Sequence, residues 1–112
     1  MFRYVTSALL LLAACRPPQP VLVSPKAVQT PLPTVEAVSQ TDAAEAGIPG
    51  QTVVGYCIDA SGKTEDVVVK ESFTPEFDAL ATRTVEAWTY EPATRDGEPE
   101  PHCTDATIEY RP

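Results

Sequence analysis

The stretch that decides the fold reads Thr52-Val53-Val54-Gly55-Tyr56-Cys57-Ile58-Asp59, continues through Ala60-Ser61-Gly62-Lys63, and reaches Asp66-Val67-Val68-Val69-Lys70. Its first part alternates, with Val54, Tyr56 and Ile58 on one side of an extended chain and Val53, Gly55, Cys57 and Asp59 on the other. That is the pattern of a strand with one buried face. Residues 60–63 supply turn chemistry, and the β-branched run at 66–70 follows closely enough to return as an antiparallel partner. A hairpin results, and its apolar face needs a cover.

The cover lies immediately downstream. Thr74 is placed as an N-cap, Pro75 suits the first helical position, and Glu76 and Asp78 put negative charge in the first turn. Phe77, Leu80, Ala81, Val85 and Trp88 fall at helical spacing on one face, opposite Asp78, Thr82, Arg83 and Glu86. Trp88 ends this stripe as a core anchor, the alternative being a ligand-stacking residue. Pro92 bars further helix. Residues 93–101 read as a polar connection, and 104–110 alternate again, with Ala106, Ile108 and Tyr110 facing inward. The predicted fold class is α+β: a three-stranded antiparallel sheet with one helix packed on one face, in the order β-β-α-β. About 60 residues give a marginal core, so a covalent staple has value.

Upstream, Met1-Phe2-Arg3 is a short positive start, residues 4–14 are an almost uncharged apolar run, and Ala13 and Ala14 are small. Residues 1–14 read as a signal peptide, too short for a spanning helix of about 20 residues. Leu12-Ala13-Ala14-Cys15 resembles the bacterial lipobox, which implies cleavage before Cys15 and lipidation of its sulfur. The alternatives are an ordinary signal peptide that carries a cysteine and an uncleaved helix. Arg16, with no Asp after the cysteine, resembles lipoproteins sorted to the outer membrane. Residues 15–50 hold Pro17, Pro18, Pro20, Pro25, Pro31, Pro33 and Pro49 and no aromatic side chain. They read as a disordered, semi-rigid linker with one weak helical turn at 42–46, reaching on the order of 100 Å if fully extended.

Formal charge is −8, from eight basic and sixteen acidic side chains. Such a surface disfavours nucleic acid and anionic lipid alike, so a membrane association requires an anchor. His102 is the lone histidine, which removes multi-histidine metal sites and His-based triads within one chain. Glu65, Asp66, Glu98, Glu100 and Asp105 read as solvated acids rather than an acid/base pair. No catalytic residue, metal or cofactor is nominated.

Residues 51–112 carry a resemblance. Ile58-Asp59-Ala60-Ser61-Gly62, Val67-Val68-Val69-Lys70-Glu71-Ser72, Phe77-Asp78-Ala79-Leu80-Ala81, Trp88-Thr89-Tyr90-Glu91-Pro92-Ala93 with Asp96-Gly97, and Ile108-Glu109-Tyr110 together resemble the TonB C-terminal domain. The resemblance implies a periplasmic module that binds outer-membrane transporters by adding a strand to its sheet. Energy-transmitting members are similar to this chain only in that domain: they have a membrane-spanning helix where this one has a lipobox-like leader.

In the family's sheet order the first strand is central. By alternation Cys57 and Cys103 both face away from the helix, and with the first strand central a register that pairs them also pairs Val54 with Ala106, both inward. A Cys57–Cys103 disulfide is expected, in preference to a thiol nucleophile or a Cys57, His102 and Cys103 metal site, because the implied compartment oxidises paired thiols. Cross-strand disulfides suit pairs that exchange no backbone hydrogen bonds, which turns the amides of Asp105, Thr107 and Glu109 outward as a partner-binding edge. Two function classes follow: a lipid-anchored TonB-like binding module, and a structural envelope lipoprotein that binds cell wall or another envelope complex without energy transduction.

Overall fold

The computed structural model describes residues 18–112. In chain order its elements are β1 (Leu22–Val23), β2 (Lys26–Gln29), α1 (Val35–Ser39), α2 (Asp42–Ala46), β3 (Gly50–Ile58), β4 (Thr64–Glu71), α3 (Pro75–Glu86), β5 (Thr89–Glu91), β6 (Ala93–Arg95), β7 (Glu98–Glu100) and β8 (His102–Tyr110). The expected α+β core is present: β4, β3 and β8 form an antiparallel sheet in that order, and α3 packs against it. Val54, Tyr56 and Ile58 from β3, Ile108 from β8, and Phe77, Ala81, Val85 and Trp88 from the helical side bury one another. Each large side chain so buried stabilises by about 1.5–3 kcal/mol.

Local chemistry fixes the hairpin. The Asp59 carboxylate accepts bonds from the Ser61 hydroxyl (2.6 Å), the Ser61 amide (2.8 Å) and the Lys63 amide (3.0 Å), closing the β3–β4 turn. Those bonds, the Ser61 hydroxyl's foremost, hold Asp59 below the ordinary carboxylate range. Gly62 adopts φ +91°, and its carbonyl accepts the Tyr90 amide at 2.8 Å, tying the turn to β5.

The helix begins as its cap chemistry dictates: Thr74 accepts the Phe77 amide, and Pro75 opens the first turn. One polar residue of that turn has a structural role that periodicity does not reveal. Asp78 accepts bonds from the buried Thr52 hydroxyl (2.6 Å), the Phe73 amide (2.9 Å) and the Ser72 hydroxyl, fastening α3 to β3 and to the segment after β4. Burial is the largest single influence on its carboxyl and pushes upward, but the bonds from Ser72, Thr52 and Phe73 together outweigh it and hold Asp78 below the usual range.

The amino-terminal part differs from the linker expected over 15–50. From Leu22 onward it carries short elements that dock on the domain: β1 pairs with β6, β2 pairs with β5, and the Trp88 indole N–H donates to the Pro31 carbonyl at 2.8 Å. Ala43 of α2 is fully buried, and Asp42 accepts the Thr74 hydroxyl at 2.6 Å. The prolines do not prevent this, because Pro20, Pro25, Pro31 and Pro33 lie outside the elements, where no ladder bond is lost. The connection expected at 93–101 also differs. It is a second hairpin, β6–β7, whose tip Asp96-Gly97 takes positive φ at both residues (51° and 84°).

Candidate partner-binding edge

β8 is the last strand of the central sheet, and among the described residues no strand lies on its outer side. Its pairing with β3 runs unbroken from Gly50↔Tyr110 to Ile58↔His102. The opposite edge strand, β4, is irregular: its register with β3 shifts twice, and Asp66 sits at φ +52°. Bulges and edge charges of this kind blunt strand pairing. Of the two edges, β8 is the straighter template.

The residues expected at this edge are on it. Asp105, Thr107 and Glu109 are exposed and stand opposite Gly55, Val53 and Gln51, on the sheet face away from α3. Ile108 is buried on the other face, with Ala106 and Tyr110 partly buried beside it. Cys57 and Cys103 pair directly and are joined by a disulfide, with Cα atoms 3.9 Å apart. That separation matches the narrow pairs of an antiparallel ladder, about 4.5 Å, rather than the hydrogen-bonded ones, about 5.5 Å. By alternation the amides of Asp105, Thr107 and Glu109 point away from β3.

The disulfide occupies both thiols of the alternative Cys57, His102 and Cys103 site, and His102 is exposed at the start of β8, opposite Ile58. Among the described residues no group of three His, Cys, Asp or Glu side chains is arranged to hold a metal ion. Trp88 is buried edge-on against Tyr56, as a core anchor rather than a stacking platform. The Tyr56 hydroxyl lies 2.7 Å from that of Tyr90, and burial, aided by this neighbour, pushes the Tyr56 phenol up. Cys15 lies outside the described residues.

Sequence reasoning missed one component of the edge. Between α1 and the outer side of β8 runs a groove of about 630 Å³, lined by Leu32, Val35, Val38, Thr107, Glu109 and Tyr110 among others. Thr34 caps α1, its side chain accepting the Ala37 amide at 3.1 Å, and the helix packs on α2 and α3. The available signal was an N-cap threonine followed by Val35 and Val38 at helical spacing; Pro31 and Pro33 masked it.

Comparison with known proteins agrees with this architecture. The family model described as the Gram-negative bacterial TonB protein C-terminal matches residues 41–112. The solution NMR structure of the Pseudomonas aeruginosa TonB C-terminal domain is similar in fold, with a TM-score of 0.60 and 21% identity over 79% of this chain and 86% of that one. No curated protein gives a significant match. No helix among the described residues is long and apolar enough to cross a membrane. By its matched residues, more than half of its length, the chain belongs to the TonB C-terminal domain family.

Proposed function

We propose that the chain is a non-catalytic protein-binding module on the periplasmic side of the cell envelope, carried on a lipid at Cys15, that engages outer-membrane transport proteins by accepting a strand along β8. The observation that carries the reading is the unbroken nine-residue β8 ladder with Asp105, Thr107 and Glu109 exposed along it. Main-chain bonds to such an edge supply affinity, and pockets for alternate side chains supply selectivity. Family membership supports a TonB-like role in envelope transport.

The anchor rests on Leu12-Ala13-Ala14-Cys15, and Arg16 favours the outer membrane. Because β1 begins at Leu22, seven residues beyond Cys15, the acylated chain holds its domain within about 25 Å of the membrane at full extension. That range suits a partner embedded in the same membrane. A photo-crosslinker introduced at Thr107 in the native envelope tests the reading: transporters among the adducts support it, whereas adducts with cell-wall material support the structural-lipoprotein reading. Mass spectrometry of membrane-extracted protein tests the anchor, which fails if Cys15 is unmodified or the leader is intact.

A further inference from the structure

We infer that the groove between α1 and β8 is a side-chain subsite for the incoming strand, and that the strand it selects belongs to a different protein and alternates apolar residues with basic or neutral polar ones. The inference rests on the strand-addition reading and adds the sequence pattern a partner must carry.

The helical side of the domain extends past the sheet it covers. α1 has no buried residue, yet it packs on α2 and α3, and Val38 rests against the core. Leu32 and Val35 project from this layer beside the edge of β8, 69% and 86% exposed. Three strands therefore lie under a helical layer with room for a fourth. Large apolar side chains grouped over an open backbone edge mark an interaction surface.

Alternation sets what fits. In a strand laid against β8, residues opposite Ala106, Ile108 and Tyr110 point to the helical side, toward Leu32, Val35 and Val38, and favour apolar side chains. Residues opposite Asp105, Thr107 and Glu109 point to the open face, beside two carboxylates. Lys70 and Arg111 each approach one of these at 2.8 Å, but both pairs are solvent-exposed, a class that contributes little. Residues 51–112 hold five basic and thirteen acidic side chains, so the wider field also favours a cationic strand.

A second copy is disfavoured in the register centred on Thr107. Antiparallel pairing of two β8 strands about Thr107 sets Asp105 of each directly against Glu109 of the other, and like charges so placed destabilise a ladder. In that register the acidic row opposes self-pairing, and it attracts a basic strand.

The test uses the full chain and two capped peptides: one alternating valine with lysine and threonine, and one of the same pattern with glutamate for lysine. Affinities are measured for wild type, Leu32→Asp, Val35→Asp and Thr107→Pro, with thermal melts as the folding control. The lysine peptide is expected to bind wild type at least about tenfold more tightly than the glutamate peptide, and Leu32→Asp and Val35→Asp each to weaken it by about tenfold or more, about 1.4 kcal/mol. If Thr107→Pro abolishes binding while Leu32→Asp and Val35→Asp both bind like wild type, strand addition stands and the subsite is refuted. If Thr107→Pro binds like wild type, the strand-addition reading fails and the subsite with it. Equal affinity for the two peptides overturns the charge pattern, and failure of wild type to bind either overturns the proposal.

Discussion

Removing the Cys57–Cys103 disulfide should destabilise the domain by about 3 kcal/mol. The two cysteines are 46 residues apart in sequence and directly paired across β3 and β8. Chain-entropy arguments assign about 4 kcal/mol to closing a loop of this length, and observed values run at about 2–4. A value below the chain-entropy figure fits here, because a compact denatured chain has already lost some of the freedom that the bond removes. For a domain of this size each kcal/mol moves the melting temperature by about 4–8 °C, so Cys57→Ala with Cys103→Ala should melt about 12–24 °C below wild type. Circular dichroism melts of the double variant, of wild type, and of wild type with reductant provide the comparison. The reduced protein should track the double variant. A double variant melting within about 2 °C of wild type would refute the staple and leave the core self-sufficient.

Three further outcomes follow from named contacts. Asp78 has a depressed folded pKa, so the stability it contributes is complete above the ordinary carboxylate pKa and is lost as pH falls through the depressed value; Asp78→Asn should flatten the acid limb of a pH series of melts, and an unchanged limb would count against this site. Gly62→Ala should cost more than about 1 kcal/mol, because φ is +91° and a Cβ would collide with the Tyr90 carbonyl; a denaturant melt that matches wild type contradicts this. Trp88→Phe removes the donor to the Pro31 carbonyl, worth about 1 kcal/mol, and should raise hydrogen exchange at Lys26–Gln29 more than at Gly50–Ile58; equal increases would mean that the indole supports the whole core.

What the sequence made legible was local. The alternation through Tyr56 and the stripe from Phe77 to Trp88 are periodic over enough residues to specify faces. Parity then placed Cys57 against Cys103 and Thr107 on the outer side of β8, with the family's strand order deciding which strand is central. What remained hidden is held together by long-range contacts. Leu22–Val23 and Lys26–Gln29 are too short to announce themselves and exist as strands through pairing with β6 and β5. The β6–β7 hairpin carried its turn signal in Asp96-Gly97, but Pro99 and a three-residue strand on each side diluted it. The apolar wall of the groove was hidden for the same reason. Leu32 and Val35 look like isolated apolar residues among prolines until α1 docks beside α3.

The central claim is that β8 accepts a partner strand through its outward amides, and a pair of proline substitutions tests it most directly. Thr107→Pro deletes an outward donor and leaves the ladder to β3 intact, whereas Ala106→Pro deletes a donor on the ladder side, opposite Val54. Each variant is melted and then assayed against the envelope protein captured at Thr107. The account predicts that Thr107→Pro melts near wild type and loses binding, while Ala106→Pro unfolds. A folded Thr107→Pro protein that binds like wild type would contradict it.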